Sequence, residues 1–438
     1  MRLLKSFSLF TLCAAAVWGQ AATGTITGTI ADPAGAVVAN APLVLTNSAT
    51  GVAQDAQSSS TGNFTFSNLA VGTYRLSVNV SGFKSYVREN LGVQTAQTIR
   101  IDVTLEVGSS AESITVTDQA SLLRTESAAI VSNVTVARLN SLPILGIGVN
   151  SASPAGVRNP LASSVLTPGV FFNPAQATRV NGSPANTYGI KLDGQDITNG
   201  VNTSASQQQV QPSVEALEEV AVQASNYSAE FGQAGSGLFQ YTTRSGTNTY
   251  HGSAYWYNRN NALSSSDWFN NRAGIGKPKL DLNQPGVAFG GPVALSPHKV
   301  LRDKLFFYAN YEWFRDKSQS SQTRTVLTDS ARNGIFTYDA AGVRRTADLR
   351  ALRNYTPDPT VAALIAQLPK PNAPGGDGLN TSGYVFNASS NQSRRQFVYK
   401  TDYYLGSEHT ITGSYNYVTS PTLRPDVTSS FYTLQPNV

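Results

Sequence analysis

Apolar and polar positions alternate with a period of two over many short stretches of this chain, and Gly, Asn, Asp and Pro separate them. Residues 25–30 alternate, and Asp32-Pro33-Ala34-Gly35 supplies a turn. Leu43-Val44-Leu45 follows, then the turn-forming Ser60-Thr61-Gly62-Asn63. Phe64-Thr65-Phe66 and residues 74–80 alternate again, with Val71-Gly72 between them, and residues 99–105 close the series. Side chains point to opposite faces at successive strand positions, so short alternating runs at this spacing predict a small β-sandwich.

From Tyr241 onward the runs lengthen and become aromatic. Fifteen of the nineteen tyrosines and three of the four tryptophans lie there. Phe307, Ala309, Tyr311 and Trp313 share a face opposite Asn310 and Glu312. Phe397, Tyr399, Thr401, Tyr403 and Leu405 oppose Lys400 and Asp402. Ile411, Gly413, Tyr415 and Tyr417 oppose Thr410, Thr412, Ser414 and Asn416. Alternating runs of about ten residues rich in Tyr and Trp suit the strands of a transmembrane barrel, apolar toward lipid and polar toward the lumen. A soluble sandwich with one wet face has the same pattern. Residues 260–280 and 327–391, rich in Asn, Ser, Gly and Pro, are expected to be long extracellular loops.

Composition narrows the choices. Charged residues make up only 13% of the 438, so polarity rests on Ser, Thr, Asn, Gln and Gly, a mixture that suits turns and sheets. The first residues read as a secretory leader: Arg2 and Lys5, a short apolar stretch from Phe7 to Trp18, and Gly19-Gln20-Ala21 for cleavage. Cys13, the only cysteine, lies in that leader, so the mature chain has no disulfide and no thiolate metal site. The net charge of +5 falls to +3 without the leader, and no basic run or stripe is present, which argues against a nucleic-acid partner.

Two stretches carry family resemblances. The run Gly28-Thr29-Ile30-Ala31-Asp32-Pro33-Ala34-Gly35, with Thr61-Gly62-Asn63-Phe64, Val71-Gly72-Thr73-Tyr74 and Ser81-Gly82-Phe83, resembles the carboxypeptidase regulatory-like domain. That resemblance implies a transthyretin-like sandwich without catalysis of its own. Residues 108–240 change to mixed α/β character with many special-backbone turns. Asn181-Gly182, then Asp193-Gly194 after Ile190-Lys191-Leu192, then Glu218-Glu219-Val220, resemble the plug of TonB-dependent receptors. So do Tyr227-Ser228-Ala229-Glu230-Phe231-Gly232, the glycines Gly235 and Gly237, and the hand-off Thr242-Thr243-Arg244-Ser245-Gly246-Thr247-Asn248. The wording around Tyr227 and His251-Gly252-Ser253 is similar to the Oar-like subgroup, which also carries the regulatory-like domain. Leu142-Pro143-Ile144-Leu145-Gly146 departs from the family's early plug motif.

The resemblance implies a mainly β protein: a leader (1–21), a regulatory-like β-sandwich (22–107), a mixed α/β plug (108–240) and the first part of an outer-membrane antiparallel β-barrel (241–438). It implies an outer-membrane location with the N-terminal domain in the periplasm, and uptake of an extracellular ligand energised by a TonB-type protein. The candidate contact for that partner is Glu112, Ser113, Ile114, Thr115, Val116 and Thr117, a short extended segment that is alternatively the last strand of the sandwich. The acidic residues Glu215, Glu218 and Glu219 either face basic residues of the barrel wall or form a solvated face.

A non-transporting surface adhesin or carbohydrate-binding protein is the alternative function. His251, His298 and His409 lie far apart, and no nucleophile-elbow or phosphate-loop motif occurs, so neither an enzyme nor a cofactor is expected. The 198 residues from Tyr241 are too few for a plugged barrel of about 22 strands, so the sequence is expected to represent an N-terminal portion of a longer receptor.

Overall fold

A computed structural model describes residues 23–110, 112–116, 126–141, 158, 160–172, 178–184, 187–198, 212–228, 231–232, 235–266, 268–293, 301, 303–353, 356–406 and 409–419. The expected leader and Thr117 lie outside the described residues. The chain divides into two compact units: Met1–Tyr255, Pro285–Glu312 and Arg395–Val418 form one, and Trp256–Gln284, Trp313–Arg394 and Thr419–Val438 the other.

The first unit opens with the expected sandwich. Strands β1 (Gly24–Ala31), β4 (Asn63–Leu69), β7 (Thr98–Arg100) and β8 (Val103–Thr104) form one sheet. Strands β2 (Pro42–Asn47), β3 (Ala53–Gln57), β5 (Gly72–Val78), β6 (Ser85–Val93) and β9 (Ser113–Val116) form the other, in the order β3-β2-β5-β6-β9. Alternation in β1 puts Ile26 and Ile30 into a core with Leu43, Leu45, Phe64 and Leu76. The single strand expected over residues 99–105 is two, each parallel to β1. Gly28 permits this close pass, because a Cβ there would lie 1.8 Å from the Ile101 carbonyl oxygen. Strand β6 was not legible because Arg88, Glu89 and Asn90 interrupt its apolar pattern; Asn90 adopts φ +58° where the register with β5 shifts.

A second sheet follows in the same unit: β10 (Ile130–Thr135), β13 (Gly189–Leu192), β14 (Gln195–Asp196), β15 (Leu217–Ser225) and β16 (Leu238–Thr243), in the order β10-β15-β16-β13-β14. Strands β11 (Val170–Phe172) and β12 (Thr178–Val180) pair separately. A short helix, Val136–Ser141, packs Val136 and Leu139 into a core with Val180, Ile190, Val220, Val222, Phe239 and Tyr241. Every residue of β16 is buried, so its two faces are both covered.

The long aromatic strands form a third sheet: β17 (His251–Asn260), β18 (Asp281–Pro292), β19 (Leu305–Leu327), β22 (Thr381–Leu405) and β23 (His409–Thr419), in the order β17-β18-β19-β22-β23. The expected faces hold. Asn310, Glu312, Gln396, Lys400 and Asp402 are buried, whereas Tyr311, Trp313 and Leu405 on alternate positions are exposed. No helix among the described residues is long and apolar enough to cross a membrane.

The second unit contains the segments expected to be loops, and they carry more regular structure than their composition announced. Strands β20 (Ile335–Ala340) and β21 (Val343–Asp348) form a hairpin, and a helix spans Pro359–Gln367. Asp358 caps that helix through the amides of Thr360 and Val361. At its other end Arg332 donates to the carbonyls of Ile365, Leu368 and Pro369. Residues 381–391, expected as loop, are already strand β22.

Candidate functional site

The candidate contact segment is placed on a sheet edge. Strand β9 runs parallel to β6, with Ser113 opposite Ser85, Ile114 opposite Tyr86, Thr115 opposite Val87 and Val116 opposite Arg88. The Ser85 amide donates to the Glu112 carbonyl at 2.8 Å, and the Lys84 ammonium lies 3.4 Å from Glu106 and 3.5 Å from Glu112. Val116 packs against the sandwich core, while Ser113 and Thr115 face outward. The strand order ends at β9, so its other edge has no strand beside it among the described residues. An unpaired edge offers a row of amides and carbonyls to an added strand.

The motif residues of the second sheet serve its turns and junctions. Asn181 and Asp193 take left-handed backbone (φ +50° and +48°), each followed by a glycine, Gly182 and Gly194, of the same hand. Asn181 donates to the Ala224 carbonyl at 2.8 Å. Gly235 and Gly237 sit where a Cβ would press on the Thr187 carbonyl and on Val180. Asn181 and Tyr227 line an open cleft of about 400 Å³ with Ser183, Ser225 and Ser236. Phe231, beside Gly232, stacks under the Lys191 ammonium, 4.6 Å from the ring centre.

Asp193 does more than turn the chain. Its carboxylate accepts the Thr243 amide at 2.9 Å and the Thr243 hydroxyl at 2.6 Å. It also lies 3.7 Å from the Lys400 ammonium on β22, with both side chains about 10% exposed. Lys400 donates to the Thr243 carbonyl at 3.1 Å. The end of β16 is thereby tied to the polar face of the long-stranded sheet. A second tie joins Ser213, which donates to Glu312 of β19 at 2.7 Å, to Tyr255 of β17, which donates to the same carboxylate at 3.2 Å. Tyr308 donates to the Glu215 carbonyl at 2.8 Å.

The acidic residues are therefore used differently from the barrel-wall expectation. Glu218 pairs with Arg244 at 3.7 Å, within the hand-off that follows its own sheet. Glu215 accepts from Asn140 at 3.3 Å. Glu219 is 1% exposed and turns toward the sandwich, where it accepts the Thr95 amide, and it accepts Asn133 at 3.3 Å. Asp193 is a carboxylate that does meet a base of the long-stranded sheet. Burial, the largest influence, pushes the Glu219 carboxyl above the usual range, and the charge of Glu218 adds to it; the hydrogen bonds from Thr95 and Asn133 oppose it.

Sequence reasoning missed Thr95 and Asn133, which sit in unremarkable polar runs; Lys400 carried a signal, as a charge on an otherwise aromatic strand. A polar cavity of about 2160 Å³ opens between the sandwich, the second sheet and β22–β23, lined by Tyr74, Gln97, Asp193, Gln240, Lys400 and Asp402 among others. No group of three or more His, Cys, Asp or Glu side chains suited to a metal ion occurs among the described residues.

Two segments match known domain families. Residues 25–106 match the carboxypeptidase regulatory-like domain, and residues 242–437 match an outer membrane beta barrel domain. The chain is similar to the TonB-dependent transporter Oar of Myxococcus xanthus, 27% identical over 331 residues, covering 72% of this chain and 29% of that relative. It thus spans under a third of the relative's length. Among solved structures it is similar to a mutant of the ferric enterobactin receptor of Pseudomonas aeruginosa (13% identity, 70% of this chain and 35% of that one, TM-score 0.37). It is also similar to the outer membrane transporter YddB of Escherichia coli (14% identity, 67% and 33%, TM-score 0.36).

Proposed function

We propose that this chain, similar to a TonB-dependent transporter, belongs to an outer-membrane receptor that takes up an extracellular ligand with energy delivered through a TonB-type protein. In this reading residues 108–240 are the plug, the long aromatic strands begin the barrel around it, and the sandwich lies in the periplasm. The observation that carries the reading is the pair of ties from the second sheet to the polar face of strands whose other face is aromatic: Asp193–Lys400 and Ser213–Glu312. A domain held to the wet side of lipid-facing strands is what a plugged lumen requires.

The partner adds a strand at Glu112–Thr117, where main-chain hydrogen bonds supply affinity and alternate side chains supply specificity. Strand β9 already has the extended backbone that such pairing needs. The plug assignment is tested by cysteines at Ser213 and Glu312 in the complete receptor, treated with a short bis-maleimide crosslinker in outer-membrane fractions. Crosslinked protein should keep the migration of a folded receptor and carry an internal loop on denaturing gels. Recovery of the protein in a soluble fraction, or absence of the crosslink in folded receptor, overturns the reading.

A further inference from the structure

Strand β6 connects two places that the proposed function needs connected. One long side of it holds β9, the candidate partner strand, in a four-residue parallel ladder. Its C-terminal end, Val93, runs through Gln94 into Thr95, which is fully buried against the second sheet. There Thr95 touches three adjacent strands. Its amide donates to Glu219 on β15, its hydroxyl lies 2.7 Å from the Thr242 hydroxyl on β16, and its carbonyl accepts Asn133 of β10 at 3.1 Å. A second anchor joins the turn after β2 to the hand-off, with the Asn248 amide donating to the Ala49 carbonyl at 3.0 Å and its side chain to the Thr50 carbonyl.

From this path we propose that the sandwich is a rigid coupling, built to pass a pull on β9 through β6 and Thr95 into the strands that carry Glu219, Thr242 and Asn133. The proposal rests on the TonB reading for the source of the pull. The partner strand adds to the open edge of β9 while β9 stays on β6. A load along the strand direction shears the four-pair ladder, so its evenly spaced bonds share the force. The node resists because separating it breaks three hydrogen-bonded contacts of the fully buried Thr95 at once. The sequence link from β9 to β10 reaches the same sheet, so the folded path and the covalent path converge on β15.

Two arms test this on the complete receptor. In the first, S85C/S113C fastens β9 to β6 by a disulfide between register partners, and capture by the TonB C-terminal domain is measured. Capture by the S85C/S113C receptor should change by less than about twofold between its reduced and oxidised forms. Loss of capture on oxidation, restored by reductant, shows that β9 must detach and overturns the proposal. Absence of capture by the wild type refutes the TonB reading instead. In the second arm, the receptor is pulled by a handle on T115C with an atomic force probe, which needs no TonB. Wild type should release sandwich and β15 in one step, and T95V/E219Q should show a separate, weaker step first. A separate early step already present in the wild type overturns the coupling. T95V/E219Q unchanged from wild type overturns it as well.

Discussion

Replacing Asp193 probes the tie between β16 and β22 most sharply, because three functions can be removed in sequence. D193A removes the left-handed turn preference, both acceptors for Thr243 and the charge opposite Lys400. Losing one partner of a buried ion pair costs about 3–5 kcal/mol. The lower end applies here, because the Lys400 ammonium keeps the Thr243 carbonyl at 3.1 Å. Holding alanine at φ +48° adds about 1 kcal/mol, for a total near 4. D193N tolerates the turn and still accepts the Thr243 amide, so about 2 kcal/mol is expected, mostly from the unpaired ammonium. K400M alone strands the carboxylate, whereas D193N/K400M removes both charges and should recover about 1–2 kcal/mol of the summed loss.

The readout for this series is tryptic cleavage after Arg244, at the end of β16, followed through a urea titration of the receptor in membranes. With a urea dependence of about 2 kcal/mol per molar, D193A should shift the midpoint by roughly 2 M and D193N by roughly 1 M. Equal midpoints for D193A and D193N, or additive losses in the double variant, refute the assignment of Asp193–Lys400 as a buried tie.

Three further outcomes are expected. G28A should prevent folding of the sandwich, because the new methyl meets the Ile101 carbonyl backbone; absence of a protease-resistant N-terminal fragment checks this. G246A should impair assembly of the long-stranded sheet while sparing the sandwich, since its Cβ would lie 2.4 Å from the Phe307 carbonyl oxygen; heat-modifiable gel migration reports it. Sandwich docking should weaken as pH rises. The docked Glu219 carboxyl holds its proton above its ordinary value of 4.5, so its contribution is complete below that value and declines as pH climbs through the raised one. Hydrogen exchange of the Thr95 amide should show this dependence, and E219Q should flatten it.

The elements whose chemistry is local were legible in the sequence. Two-residue periodicity located β1, β4, β5, β23 and stretches of β19 and β22, and the turn pairs Asn181-Gly182 and Asp193-Gly194 fell where left-handed backbone is needed. What depended on pairing between distant residues was not legible. Nothing in Gln94-Thr95-Ala96-Gln97 announces a hydroxyl and an amide buried on β15 and β16 more than a hundred residues later. Residues 112–116 alternate weakly enough to serve as a free segment or as an edge strand, and the choice was made by the partner β6, which periodicity had not found. Neither reading of the acidic cluster, barrel wall or solvated face, treats its members separately, whereas strand β15 sends Glu218 and Glu219 to opposite sides.

Glu112–Thr117 is proposed to receive a TonB-type partner in an outer-membrane receptor. The most direct measurement is a photo-crosslinking side chain at Thr115, which faces outward on β9, in living cells that express the complete receptor. A crosslinked product containing the TonB-type protein is expected, with none from the same probe at Thr61 on the exposed turn before β4. Equal crosslinking at both positions, or none at Thr115 in correctly inserted receptor, contradicts it.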